Sequence, residues 1–135
     1  MAKQTYVDSP YKSFAAAVPA NLVGLEGYAV ELVPGTQTIQ LYTATGGRPL
    51  LGWLFERLEG DVTWNVRLAG KGGTVRAIAG DGTIGQAPCW VKAVAGGTMS
   101  AAGNGQNAHG IKHSPAVADA QGDVIEIQDI FAVAY

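Results

Sequence analysis

Apolar and polar residues alternate along several short stretches of the chain, and this alternation predicts β-strands. The clearest case is residues 62–68, VTWNVRL, in which every even position is apolar and every odd position is polar. Side chains of a strand point alternately to its two faces, so this run is typical of a half-buried strand.

The same pattern predicts strands along most of the chain. We expect them at Tyr28–Val33, Thr38–Thr43, Thr74–Ile78, Cys89–Val94, His109–His113 and Asp123–Ala134. Turn residues lie between them, and ten of the nineteen glycines fall between Gly70 and Gly105. Short strands separated by such turns predict an all-β fold, either a jelly-roll-like sandwich or a small barrel. No fixed-period repeat is visible.

One apolar segment, Leu50–Leu58, fits either a short helix or a strand. Its larger apolar residues follow a helical stripe, at Leu51, Leu54, Phe55 and Leu58. The short length of the segment and Gly52 within it argue against a helix.

The start of the chain lacks a strand pattern, and we predict an extended N-terminal arm over residues 1–21, followed by a single β domain over residues 22–135. Prolines interrupt regular pairing in the arm because proline has no N–H. Three aromatic residues lie close together there: Tyr6, Tyr11 and Phe14. The arm is either a frayed terminus or a segment that docks on a neighbour. The aromatic residues favour docking, since ordering the arm requires apolar burial to offset lost chain entropy.

The composition favours association with a partner. Hydrophobic residues make up 47% of the chain and charged residues only 15%, whereas about a quarter of a typical soluble domain is charged. Part of such a surface is expected to be covered by a permanent partner or by further copies of the chain. The alternative is a compact, lightly charged domain rich in alanine and glycine.

The charge pattern and the cysteine content exclude several classes of protein. The net charge is −2 and no basic run is present, which argues against binding to nucleic acid or to an anionic membrane surface. No stretch approaches the about 20 apolar residues that span a bilayer. The single cysteine, Cys89, cannot form an internal disulfide, and no signal-peptide layout is visible, so we expect synthesis in a cytoplasm.

Few residues are arranged for catalysis or for metal binding. His109 and His113 are four positions apart, but in a strand they would lie about 13 Å from each other, too far to share one ion. Cys89 follows a proline and precedes a tryptophan, and we interpret it as a small buried thiol rather than a nucleophile. The glycine-rich runs at 70–73 and 80–82 lack the spacing of a phosphate-binding loop. We expect no enzymatic activity, no cofactor and no metal.

Two further groups have a structural and a functional interpretation. The densest acidic patch is expected on a solvated sheet edge, with a glycosidase-type carboxylate pair as the alternative; it consists of Asp119, Asp123, Glu126 and Asp129. The tryptophans lie in apolar runs, which predicts core or subunit contacts, with a ligand platform as the alternative; they are Trp53, Trp64 and Trp90. The candidate partner-contact residues are therefore Tyr6, Tyr11, Phe14 and Trp53.

The last sixty or so residues resemble small bacteriophage capsid cement (decoration) proteins. The closing segment Ala118–Ile127, ADAQGDVIEI, is the closest likeness, and Ala108–Lys112 resembles the middle part of the family pattern. The runs Thr83–Gln86 and Cys89–Ala93 resemble its opening parts. His109 and Lys112 depart from the pattern, because they stand where the family usually has apolar or small residues.

The resemblance implies a non-enzymatic, β-rich protein of the virion exterior. Such proteins are made in the host cytoplasm, associate as dimers or trimers, and bind the outside of an assembled capsid, where they clamp neighbouring major capsid subunits. The expected partners are therefore the major capsid protein and further copies of the chain. Two alternatives remain open: another phage structural module, such as a head fibre or tail component, and a small carbohydrate-binding β module.

Overall fold

The structure, a computed structural model, describes residues 9–103 and 107–134 and is almost entirely β. Its strands are β1 (Tyr11–Ala15), β2 (Ala29–Leu32), β3 (Ile39–Leu41), β4 (Gly52–Arg57), β5 (Thr63–Leu68), β6 (Thr74–Ile78), β7 (Cys89–Ala93), β8 (Met99–Ala101), β9 (Asn107–Ser114) and β10 (Val124–Ala134). One short 3-10 helix, Pro19–Asn21, follows β1. In the ranges just given, no helix is long and apolar enough to cross a membrane.

The strands form two antiparallel sheets of five strands each. The first sheet has the order β1-β5-β4-β2-β3, and the second has the order β6-β10-β9-β7-β8. Each sheet curls until its outer strands meet at one isolated parallel bridge, Ala16–Ile39 in the first sheet and Ala79–Met99 in the second. The prediction of an all-β fold, as a sandwich or a small barrel, is confirmed.

The two sheets have the same topology. Adding five to each strand number of the first sheet gives the strand order of the second. The closing hydrogen bonds also correspond, since Ala17 N donates to Ile39 O at 3.0 Å and Gly80 N donates to Met99 O at 2.8 Å. The chain therefore consists of a first half (residues 11–68) and a second half (residues 74–134) that repeat one structure.

The repetition extends to strand register. In both halves a glycine occupies the same position of the sheet. Gly52 of β4 lies between β2 and β5, and Gly110 of β9 lies between the equivalent strands β7 and β10. A Cβ on Gly110 would lie 2.8 Å from Gln128 O, and a Cβ on Gly52 would clash with Arg67 O. Both strands also carry a register shift a few residues later, so one extra residue bulges out of each. Those residues are Phe55 and His113.

The interior of each curled sheet is filled from equivalent positions. The buried apolar cluster inside the first half consists of Ala16, Leu22, Val30, Ile39, Leu54, Trp64 and Val66. Their counterparts in the second half are Ala79, Ile84, Val91, Met99, Lys112, Ile125 and Ile127. Six of these seven counterparts are apolar, and the seventh is a buried lysine at the position of Leu54.

Apolar packing and the ion pair of Arg67 with Asp129 hold the halves together. Trp53 on the outer face of β4 is fully buried in a cluster that also contains Val75 and Ala77 of β6. Arg67 Nη1 lies 3.0 Å from Asp129 Oδ2, and the side chain of Asp129 is fully buried. The same carboxylate accepts hydrogen bonds of 2.9 Å from the backbone N–H groups of residues 70 and 71, which connect the halves.

The structure differs from the sequence-based expectations in three elements. Tyr11–Ala15 form an edge strand on β5, whereas we expected irregular chain up to residue 21; the run of five between two prolines is long enough to pair. The segment Leu50–Leu58 contains strand β4, and its apolar residues do not alternate because Trp53 and Leu54, on opposite faces of the strand, are both buried. Strand β8 was not predicted, because three residues are too few to show alternation.

Candidate functional site

The most prominent exposed aromatic feature is a pair of rings on the first half. Tyr11 of β1 and Phe55 of β4 have ring centroids 4.8 Å apart with a 50° angle between the planes. Tyr11 is 40% exposed and Phe55 is 51% exposed. Phe55 lies two residues after Trp53 and shares the outer face of β4 with it, the face on which Tyr11 lies across β5. The two rings border a groove of about 230 Å³ that also borders β6. Two exposed aromatic side chains held in contact form a preorganised apolar surface, which is typical of a protein contact.

A second apolar surface is the open mouth of the first curled sheet. Phe14, Leu32 and Leu68 line a groove of about 590 Å³ there, together with Lys12 and residues of the β2–β3 hairpin. The ammonium group of Lys12 lies 5.5 Å from the centre of the Phe14 ring. Leu32 is 38% exposed. The mouth thus combines several apolar side chains with the cationic side chain of Lys12.

The candidate contact residues from the sequence have different positions. Tyr11 and Phe14 lie on the two faces of β1, and each contributes to one of the two surfaces just described. Trp53 is fully buried between the halves, so the expectation that it contacts a partner is wrong; an apolar run predicts burial but not against what. Tyr6 lies outside the described residues.

The acidic patch is not a solvated edge, because two of its four members are buried in ion pairs. Lys112 Nζ lies 2.6 Å from Asp119 Oδ2, and both side chains are completely buried. Lys112 also donates to Gly85 O at 2.9 Å and to Val117 O at 2.5 Å, so it joins two loops to β9. Asp129 pairs with Arg67, as described above. Each carboxylate binds a buried cation of the same chain, so both stabilise the fold.

A third buried charge, Glu31, stabilises the β2–β3 hairpin and the loop after it. Its carboxylate accepts hydrogen bonds from Gln40 Nε2 at 2.8 Å, from Thr43 N at 2.9 Å and from Arg48 Nη1 at 3.1 Å. Burial alone would raise the pKa of Glu31, but the hydrogen bonds outweigh it and the pKa lies below its usual value. Glu31 is therefore an anion with its partners supplied by its own half.

The two histidines have separate roles in the second half. His109 accepts a 2.9 Å hydrogen bond at Nδ1 from Ala93 N, which requires the neutral ring with its proton on Nε2. Burial lowers the pKa of His109, and Asp129 opposes this effect in part. His113 is exposed, and its Nε2 lies 3.1 Å from Gln128 Oε1. Of the residues that the structure describes, no three His, Cys, Asp or Glu side chains form a group that could hold a metal ion.

Cys89 and the tryptophans complete the candidate groups. Cys89 is only partly buried, so the expectation of a buried thiol does not hold in full. Trp64 fills the interior of the first half, and Trp90 is 36% exposed on the second half. Phe55 and Leu32 are exposed residues outside the sequence-based contact candidates, and Trp90, for which the sequence predicted a core or subunit contact, is exposed as well. All three lie within strands, and no sequence signal distinguishes them from buried apolar residues.

No protein-family model matches this chain, and no curated protein matches it.

Proposed function

We propose that this chain is a structural virion protein that binds the outer surface of an assembled phage capsid and stabilises contacts between major capsid subunits. The proposal combines the resemblance of residues 83–127 to cement proteins with the chemistry of the exposed surface. In this role the protein acts on the capsid exterior as an oligomer, after synthesis in the host cytoplasm, and works by binding rather than by catalysis.

The observation that carries the proposal is the exposed pair formed by Tyr11 and Phe55. Exposed aromatic side chains are the residues most enriched at the centres of protein contacts. The pair lies on a rigid support, because Tyr11 belongs to a strand paired along its whole length with β5 and Phe55 belongs to β4. Little side-chain entropy is then lost on binding, which favours affinity.

A further support is the way in which the chain uses its charges. Arg67, Glu31 and Lys112 are all buried and engaged with groups of the same chain. The remaining surface carries exposed apolar residues on both halves: Tyr11, Val18, Val23, Leu32, Phe55, Val62, Trp90, Val117 and Val124. Such a surface suits a protein that spends its working life against other subunits.

Capsid stabilisation needs no reacting group. A protein that binds the assembled lattice and not the free subunits stabilises the lattice by mass action. Many equivalent sites on one shell make the effect collective. The surface must complement the capsid, and the body must be rigid, which the buried ion pairs and the two curled sheets provide.

The first test is genomic and structural together. A gene for a major capsid protein should lie close to the gene for this chain, and purified protein should sediment with capsids assembled from that capsid protein. Binding to unassembled capsid subunits as strong as to capsids would contradict the proposal. A protein that does not sediment with capsids at all would contradict it as well.

The second test concerns the aromatic pair. The double variant Tyr11→Ser and Phe55→Ser should reduce capsid occupancy at least about tenfold, as expected for the loss of a contact centre. Val117→Ser is the matched control, since Val117 is 64% exposed on the second half. Equal occupancy for the double variant and the control would show that the pair is not the contact.

The arm prediction needs a deletion that leaves β1 intact, so it should remove residues 1–8 only. We expect this deletion to preserve the far-ultraviolet circular dichroism spectrum and to weaken capsid attachment. Unchanged occupancy would show that the segment with Tyr6 is not a contact.

A further inference from the structure

The contact between the two halves uses two different faces. The first half contributes the outer face of its sheet, where Ala29 and Trp53 are paired and fully buried. The second half contributes the open mouth of its curled sheet, where Val75, Ala77 and Ala93 are buried in the same cluster. A contact between unlike faces of two equivalent units is heterologous.

Because the halves repeat one structure, each half has an outer face and an open mouth. The contact between the halves uses the outer face of the first half and the mouth of the second, so the mouth of the first half is left over. The strand registers make Lys12, Phe14 and Leu32 the counterparts of Val75, Ala77 and Ala93. These residues line the groove of about 590 Å³ described above. Where Trp53 occupies the mouth of the second half, the mouth of the first half is exposed.

The second half, in turn, keeps an outer face. The registers make Trp90 and Ile111 of β7 and β9 the counterparts of Ala29 and Trp53. Trp90 and Ile111 form a directly paired position, as Ala29 and Trp53 do. Each pair thus has one tryptophan and one smaller apolar residue. The tryptophan is on β4 in the first half and on β7, the counterpart of β2, in the second half. Trp90 is 36% exposed and Ile111 is half-buried.

The hairpins support the same correspondence. In the second half, the β7–β8 hairpin closes over the inserted face, since Ala29 N donates to Gly97 O at 2.6 Å and Gly96 N donates to Tyr42 O at 2.9 Å. In the first half, the equivalent β2–β3 hairpin borders the exposed mouth with Gln37 and Thr38. The β2–β3 hairpin is therefore positioned to cover an equivalent outer face in the same way.

We propose that the chain assembles head to tail with further copies of itself, the Trp90–Ile111 face of one copy filling the Phe14–Leu32 mouth of the next. The packing between the halves is the template for this contact. The second half of one copy would contact the first half of the next copy in the same arrangement in which the first half contacts the second within one chain. Such an interface closes into a ring or extends as a filament. The inference concerns contacts between copies and holds whether or not the partner surface is a capsid.

The test uses the full chain with two single variants, Trp90→Asp and Leu32→Asp, in sedimentation velocity over a wide range of concentration. A reductant is present throughout because Cys89 adjoins Trp90. The unmodified chain should form concentration-dependent assemblies larger than a dimer. Each variant alone should weaken assembly at least about tenfold, because a carboxylate would have to be desolvated within a largely apolar contact. Val117→Asp, exposed and outside both faces, should assemble like the unmodified chain.

The mixture of the two variants distinguishes this interface from a symmetric one. A Trp90→Asp copy retains its mouth and a Leu32→Asp copy retains its outer face, so an equimolar mixture should form a one-to-one dimer and nothing larger. Circular dichroism confirms that each variant is folded, which is expected because both positions are exposed. A monomeric unmodified chain at all concentrations, variants that assemble normally, or a mixture that stays monomeric would each overturn the proposal.

Discussion

The buried pair of Lys112 and Asp119 gives the sharpest prediction about stability. The first half has Leu54 where the second half has Lys112, and both positions are buried inside a curled sheet. The second half therefore carries a charge at a position that an apolar side chain fills in the same structure. Replacing one member of the pair should be costly, whereas replacing both should cost little.

The magnitude follows from desolvation. Asp119→Asn leaves the Lys112 ammonium fully buried with two backbone carbonyls and no counter-charge. Removing one partner of a buried pair costs about 3–5 kcal/mol in the free energy of unfolding. With a urea m-value of about 2 kcal/mol per molar, this lowers the midpoint by about 2 M. Lys112→Met should cost a similar amount, because it leaves a buried carboxylate.

The double variant Lys112→Met with Asp119→Asn should recover most of this loss, since neither member remains charged. Replacing a buried ion pair by uncharged groups is often neutral or stabilising. The assay is urea unfolding followed by circular dichroism, evaluated as a double-mutant cycle. Should a single variant fail to fold, a folded double variant would still show that the two positions are coupled.

The control is the exposed pair of Arg57 and Asp61, in which Arg57 Nε lies 3.4 Å from Asp61 Oδ1 and the aspartate side chain is 74% exposed. Asp61→Asn is the same chemical change, and asparagine tolerates the positive φ of 64° at this position. A loss of less than about 1 kcal/mol is expected there. If Asp119→Asn cost no more than Asp61→Asn, or if the double variant were less stable than both single variants, the reasoning would be refuted.

Three more predictions concern the backbone, the pH dependence and the linker. Gly52→Ala and Gly110→Ala should each lower the free energy of unfolding by more than about 2 kcal/mol, because a Cβ at these positions meets backbone oxygen atoms. Gly82 has open space around it, so Gly82→Ala should change the free energy of unfolding by less than about 1 kcal/mol. Burial lowers the pKa of His109 in the folded state, so the unfolded state binds more protons below pH about 6.5. The free energy of unfolding should therefore be highest above that pH and fall as the pH drops toward the folded pKa. The variant His109→Asn should flatten this part of a plot of stability against pH. Asp129→Asn should speed hydrogen exchange at the backbone amides of residues 70 and 71, which connect the halves and donate hydrogen bonds to this carboxylate. Unchanged exchange would show that Asp129 does not hold this connecting segment.

The strands could be predicted well from the sequence because alternation is a local property. Residues 62–68 and 74–78 alternate clearly, and both lie on strands that the structure confirms. β4 was harder, because a bulge at Phe55 changes the parity within the strand. Phe55 shares the outer face of β4 with Trp53, but the strand order that brings this face beside Tyr11 is a property of the whole sheet, so the aromatic pair could not be found from alternation alone.

The repetition of the halves was invisible in the sequence for a physical reason. Ala79 follows its counterpart Ala16 by 63 residues, whereas Gly110 follows Gly52 by 58 residues. Loops of different length shift the spacing, so no fixed period exists. Few side chains are identical, because a buried position requires an apolar group of suitable size and not a particular residue. Only the backbone pairing and the close approach at the two glycines preserve the relationship.

The exchange of a leucine for a lysine between equivalent positions connects the fold to the surface. In the first half Leu54 completes an apolar interior, and the loop between β4 and β5 stays short. In the second half Lys112 binds carbonyls of two loops and the carboxylate of Asp119, which fixes the longer segment between β9 and β10. Val117, in that segment, is 64% exposed, although its carbonyl is held by Lys112. The buried charge thus holds an apolar side chain at the surface, and a loss of the ion pair should alter this loop before it alters the sheets.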